Sequence, residues 1–196
     1  MLQSSYLTEH DLKGFGFKAL GKNVRISSDA RIYGQQDISI GNNVRIDDFT
    51  ILSSANGSID IGDYIFIARS SHLSGSLGIE LHDFCSLAAN TVIYSASDDY
   101  SGDYLTAQAI PQKYTAHLGG PVVIGRHVII GSSCTILGAA TIGEGCSIGA
   151  MTLVTEDLEP WGMYVGIPCR RIKSRKKGLL DLEAEFLEEQ ARASKT

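Results

Sequence analysis

The chain has 196 residues and a formal net charge of −5, with 22 Asp and Glu against 17 Lys and Arg. That length gives one domain with a substantial core, and the acidic balance excludes nonspecific nucleic-acid binding, which needs a basic face to neutralise phosphates. No stretch approaches the roughly 20 apolar residues of a membrane span, and residues 1 to 20 lack a charged start followed by an apolar run, so a cytoplasmic protein without a membrane span is expected.

In chain order, the segment "LTEHDLKGFGFKAL" mixes apolar and charged residues ahead of any repeat, and residues 1–25 read as an N-terminal cap. From Ile26 onward an aliphatic residue returns every sixth position: Ile40/Ile46/Leu52, Ile61/Ile67/Leu73 and Leu81/Leu87/Ile93. The pattern is most regular in "IGRHVI", "IGSSCT", "ILGAAT", "IGEGCS" and "IGAMTL", which begin at Ile124. A helix repeats near 3.6 residues and a half-buried strand at two, so a period of six fits neither alone. A short strand plus a tight turn, used three times per coil, gives a triangular prism with its aliphatic residues stacked inside. The Gly that often follows the aliphatic residue serves a turn of positive φ or a close backbone approach. The expectation is an all-β domain of about six coils over residues 26–173.

The four cysteines have no CxxC pairing and no zinc spacing, so no metal is expected. Cys85, Cys134 and Cys146 occupy the small fifth place of their hexads and read as core residues. One excursion, residues 95–120, "SASDDYSGDYLTAQAIPQKYTAHLGG", breaks the repeat with polar residues and tyrosines, and a long loop in a compact repeat is a functional surface. The repeat ends in the basic run "RRIKSRKK". Residues 174–196 then carry Leu179, Leu182, Phe186 and Leu187 at helical spacing, an amphipathic helix.

The run "PVVIGRHVIIGSSCTILGAATIGEGCSIGAMTLVTEDLEPWGMYVGIPCRRIK", from Pro121 to Lys173, resembles the end of hexapeptide-repeat acyltransferases, such as galactoside and maltose acetyltransferases and polysaccharide O-acetyltransferases. The resemblance implies a left-handed parallel β-helix assembled as a homotrimer. It also implies acetyl-CoA as donor and an extruded loop that closes each site. The implied activity is O-acetylation of a saccharide hydroxyl of a surface polysaccharide or its precursor. The alternatives are N-acetylation of a nucleotide-linked amino sugar, a γ-carbonic-anhydrase-like zinc lyase built on His72, His82 and His117, and a noncatalytic prism.

Transfer from a thioester needs a proton acceptor and donors for the tetrahedral oxyanion. In the family a loop histidine is the usual base, and an ungapped match of "SLAANTVIYSASDD" places Asp98 there, with Asn90 on a family asparagine. The base candidates are therefore Asp98 and Asp99, adjacent carboxylates of which either would rise in pKa if desolvated beside the other, and His117 from the far limb of the loop. Asn90, Tyr100 and Tyr104 are candidate saccharide contacts. By resemblance Ser132, Ala150 and Thr155 approach the thioester and pantetheine arm, and Arg170 and Lys173 pair with the phosphates of CoA.

Overall fold

The structure, a computed structural model, describes residues 5–107 and 109–193; residues 1–4, 108 and 194–196, at the edges of the expected cap and C-terminal helix and within the loop, lie outside the described residues. Three parallel sheets stack as the faces of a prism. The first holds Ala19–Leu20, Ile38–Ile40, Ile59–Ile61, Ile79–Leu81, Val122–Ile124 and Thr141–Ile142. The second holds Arg25–Ile26, Arg45–Ile46, Phe66–Ile67, Ser86–Leu87, Ile129–Ile130, Ser147–Ile148 and Gly162–Val165, with Arg170–Ser174 added antiparallel at its end. The third runs from Arg31–Tyr33 through Ile51–Ser53, His72–Ser74, Val92–Tyr94 and Thr135–Leu137 to Leu153–Val154. Among the described residues six coils are complete, and a partial seventh is formed by the bridge from Leu158 to Ile142 and by Gly162–Val165. The first strand starts at Ala19, inside the span read as cap.

The period of six exists because equivalent residues lie in register. Ile46, Ile67, Leu87, Ile130 and Ile148 stack on one face and Leu52, Leu73, Ile93, Ile136 and Val154 on another, all buried. Tyr164 ends the first of these stacks as a plug, its hydroxyl donating to the Glu159 carbonyl at 2.9 Å. Cys85, Cys134, Cys146 and Cys169 are free and buried, and burial pushes the Cys85 thiol up to about 12. These thiols are packing groups, inert at neutral pH.

Two places in the hexad carry the turn. Positive φ belongs to the fourth residue, seen at His127 (61°), Ser133 (60°), Ala139 (65°), Gly145 (68°) and Met151 (57°), of which Gly145 alone is glycine. The second place is glycine for another reason: a Cβ on Gly41 would lie 2.6 Å from the carbonyl carbon and oxygen of Gly62 in the next coil.

Helix α1, Glu9–Gly14, closes the first coil. Thr8 and Asp11 form its capping box and Leu12 is its buried contact. Helix α2, Leu179–Ala193, packs on the prism of its own chain. Phe186 meets Tyr64 edge-on at 5.3 Å, and Glu183 binds Arg126 and the His127 ring, 2.7 Å away. Arg175 fixes the approach to α2 by donating to the carbonyls of His127, Gly145 and Cys146. The docking face is therefore Leu179, Glu183 and Phe186. Leu182, expected on the apolar stripe, is 66% exposed.

Candidate functional site

Where the excursion leaves the prism it is pinned by Ser95, a buried residue whose hydroxyl accepts from Leu77 N–H and donates to the Ser74 carbonyl. Its two limbs then pair antiparallel, Ala96–Asp98 against His117–Gly119, with Asp98 opposite His117. The carboxylate of Asp98 lies 3.8 Å from His117 Nδ1, and both side chains are about half exposed. Residues distant in sequence are thus brought to one point by a two-stranded ribbon.

Asp99 takes a different path. Its buried carboxylate accepts from the Ser101 hydroxyl at 2.7 Å and from the backbone N–H groups of Ser101, Gly102, Asp103 and Tyr104. The Ser101 hydroxyl bond, followed by backbone bonds that outweigh desolvation, holds its pKa down at about 2. At Asp99 the condition for a raised pKa is therefore not met: it is a weak base, and its lone pairs are spent on folding the loop tip. Its folded pKa is depressed from the ordinary 3.8, so the stabilisation is present above that pH and is lost as pH falls through about 2. In Asp99→Asn one oxygen becomes an NH₂ facing backbone donors. We expect acceptor kcat/KM to fall at least roughly tenfold through the misplaced loop, with faster proteolysis within residues 100–107 and unchanged core melting. Wild-type kinetics in that variant would remove Asp99 from the loop's support.

Between ribbon and prism lies a cavity of about 660 Å³ whose lining includes Ser74, Tyr94, Asp98, Tyr100, Gln112 and His117. A second, about 340 Å³, lies against Asp98, Thr106, Ile110, Gln112, Thr115 and His117. The Asp98–His117 pair is common to both. Tyr100, 92% exposed, stands at the rim of the first. Tyr104 lines neither cavity, and Asn90 sits exposed at the other end of strand Val92–Tyr94, on a corner with φ of 61°. The sequence reading overlooked Gln112, which only the fold-back of the loop brings to the cavity.

Of the donor candidates, Ser132 and Ala150 stack in consecutive coils on that same corner, where Met151 N–H donates to the Ser132 carbonyl at 2.9 Å. Arg170 continues this edge by pairing with Val165, beside Gly149. Lys173 follows on the same strand, opposite Met163. Thr155 lies apart, on the turn after Leu153–Val154. The three histidines of the zinc alternative sit on separate elements: His72 in the third sheet, His82 beside Glu80 at the first, and His117 on the ribbon. Among the described residues no group of three or more His, Cys, Asp or Glu is placed to hold a metal, and no helix is long and apolar enough to cross a membrane.

Known proteins match both sequence and shape. The family model for bacterial transferase hexapeptide (six repeats) matches residues 121–156. The dTDP-4-amino-4,6-dideoxy-D-glucose acyltransferase of Escherichia coli is 45% identical over 182 residues, 93% of this chain and 95% of that one. The crystal structure of AntD, an N-acyltransferase from Bacillus cereus in complex with dTDP and 3-hydroxybutyryl-CoA, superposes with a TM-score of 0.92 at 45% identity, covering 96% of this chain and 100% of that one. A hexapeptide-repeat acetyltransferase from Vibrio cholerae, 23% identical with a TM-score of 0.56 over 86% of this chain and 80% of that one, shares the fold. These relatives do not support the first expectation, O-acetylation of a polysaccharide; they favour its N-acylating alternative.

Proposed function

The chain belongs to the hexapeptide-repeat acyltransferases, and from that premise we propose that it moves an acyl group from acyl-CoA to the 4-amino group of a dTDP-linked 4-amino-4,6-dideoxyglucose. The observation that carries this reading is the near-full-length 45% identity to the E. coli acyltransferase named for that sugar. A sister AntD structure holds dTDP-4-amino-4,6-dideoxyglucose and coenzyme A.

The site chemistry supports the same choice. A sugar hydroxyl is a poor nucleophile until a base begins to take its proton, whereas a neutral amine already offers its lone pair. The chain has a carboxylate, Asp98, where the family's histidine would stand, with an imidazole beside it. A carboxylate attracts an incoming ammonium group, and the adjoining imidazole takes a proton from it. The nitrogen then attacks the thioester carbonyl, the N–C bond forms and the C–S bond breaks. The proton first taken from the ammonium passes to solvent; the one lost from nitrogen after attack reaches the Asp98–His117 pair, which returns it to the departing thiolate to give CoA thiol. Backbone and side-chain donors at the Ser132–Ala150 edge serve the carbonyl oxygen and pantetheine arm, and Arg170 and Lys173 pair with the phosphates of CoA. Thr155 is the weakest of the proposed donor contacts because it lies on another corner.

The acceptor cavity and donor edge occupy different corners of one prism, so one copy's edge beside another copy's cavity completes the site. A homotrimer is the assembly this reading calls for. The catalytic unit is the prism with its loop, expected over residues 26–173 and beginning in the structure at Ala19, between the N-terminal cap and the C-terminal helix, working in the cytoplasm where acyl-CoA and nucleotide sugars are made.

Thiol release from acetyl-CoA or 3-hydroxybutyryl-CoA, followed with the dTDP amino sugar as acceptor, tests the reading directly, and release with a sugar hydroxyl alone would overturn it. Calorimetry supplies the donor arm. In Arg170→Ala/Lys173→Ala we expect the Kd for CoA to rise about tenfold or more, since charge-assisted contacts to phosphate are lost; unchanged affinity removes both residues from the donor site.

A further inference from the structure

One side chain of the acceptor cavity is held by a partner that does not itself line it. Tyr94 is the last residue of strand Val92–Tyr94, one position before the ribbon leaves at Ser95, and it stands in register with Ser74 on one side and Leu137 on the other. Its ring lies edge-on to His72 with centroids 5.3 Å apart and planes at 75°, and its hydroxyl is 3.4 Å from His72 Nδ1. Tyr94 also lines the cavity, together with Asp98, Gln112 and His117.

We propose that Tyr94 determines acceptor specificity and that His72 is its positioning residue: with the phenolic O–H directed to Nδ1, the oxygen shows the cavity only lone pairs, and so selects an acceptor that presents an N–H or O–H donor there. The inference rests on the amino-sugar reading above, and the donor is the amine or an adjacent sugar hydroxyl.

Nδ1 accepts when the His72 ring is neutral and carries its proton on Nε2. Its register neighbours are Ile51 and Val92, both apolar, and strand Ile51–Ser53 carries no titratable side chain. Tyr94 on the adjacent strand is the titratable partner of His72, and Asp98, Tyr100 and His117 line the cavity onto which Tyr94 also opens. Burial lowers the pKa of His72, so the ring is neutral at neutral pH. A cationic ring would donate from both nitrogens and turn the phenolic proton toward the acceptor, reversing the selection. A cavity built to receive a hydrogen bond rejects an analogue that lacks the donor, because its oxygen is then left without a partner.

Steady-state kinetics of Tyr94→Phe, His72→Phe, His72→Gln and the Tyr94→Phe/His72→Phe double variant, with acceptor and donor varied separately, test this. Tyr94→Phe should raise the acceptor KM about tenfold or more and leave the acyl-CoA KM unchanged. His72→Phe should move the acceptor KM the same way, and adding it to Tyr94→Phe should cost nothing further. His72→Gln, whose amide oxygen still accepts the phenolic proton, should recover part of the loss. An active wild type with an unaltered acceptor KM in Tyr94→Phe overturns the inference alone, as does full additivity in the double variant. A wild type that does not acylate the dTDP amino sugar overturns the function reading, and this inference with it.

Discussion

Asp98→Asn is expected to lower kcat by about a hundredfold or more while the affinity for CoA stays at the wild-type value, the usual scale for removing a group that handles the proton. Asn preserves the size of the side chain and the register of Asp98 with His117. It removes the negative charge proposed to draw an ammonium group and the carboxylate oxygen that lies 3.8 Å from the imidazole. His117→Gln should fall in the same direction. The double variant should lie close to the worse single one, because two groups handling one proton act as a unit. The same substitution at Asp99 acts through the shape of the loop, so the two neighbours separate by proteolysis: Asp98→Asn leaves the tip protected and Asp99→Asn does not. An Asp98→Asn enzyme within threefold of wild type would remove the pair from the chemistry, and the acceptor's own neutral amine would then suffice.

The repeat was legible because burial imposes it. Every sixth residue must be aliphatic to stack in register, and Ile46, Ile67, Leu87, Ile130 and Ile148 do. The turn geometry was only half legible. Glycine drew attention to the second place of the hexad, whereas positive φ is carried by residues such as His127 and Met151, whose identities give no such signal. Within the loop, residue types marked Asp98, Asp99 and His117 as able to move protons. Only the antiparallel pairing of the limbs divides them, joining Asp98 to His117 and committing Asp99 to backbone donors. That pairing depends on contacts between residues 96–98 and 117–119, and no local pattern announces it. The proposed preference for an amine over a hydroxyl has a trace in the sequence. Asp98 in place of the family's histidine fits a nucleophile that needs less help from a base, although it reads equally as a lost site until His117 is placed beside it.

The largest loss of stability is expected far from this chemistry, at Gly41→Ala. Added methyls in a core usually meet side chains that shift rotamer, at a cost of about 1–3 kcal/mol. Here the new Cβ would lie 2.6 Å from the carbonyl carbon and oxygen of Gly62, which are main-chain atoms fixed by the coil below. It would also press on the Asp63 carboxylate, whose Oδ1 accepts from Asn42 N–H at 2.6 Å. Relief requires the coils to separate locally, loosening the bonds from Gly41 N–H to the Ile61 carbonyl and from Gly62 N–H to the Leu81 carbonyl. Losing such contacts and bonds together should cost about 3 kcal/mol or more, enough to lower Tm by roughly 6–12 °C in a domain of this size. Gly14→Ala is the control, since no atom lies within 4 Å of its Cβ and it ends helix α1, where alanine is the better helix former. It should melt at or slightly above the wild-type temperature. Equal melting of the Gly41 and Gly14 variants would show that neighbouring coils tolerate a methyl between them, and close approach would then not explain glycine at the second place of the hexad.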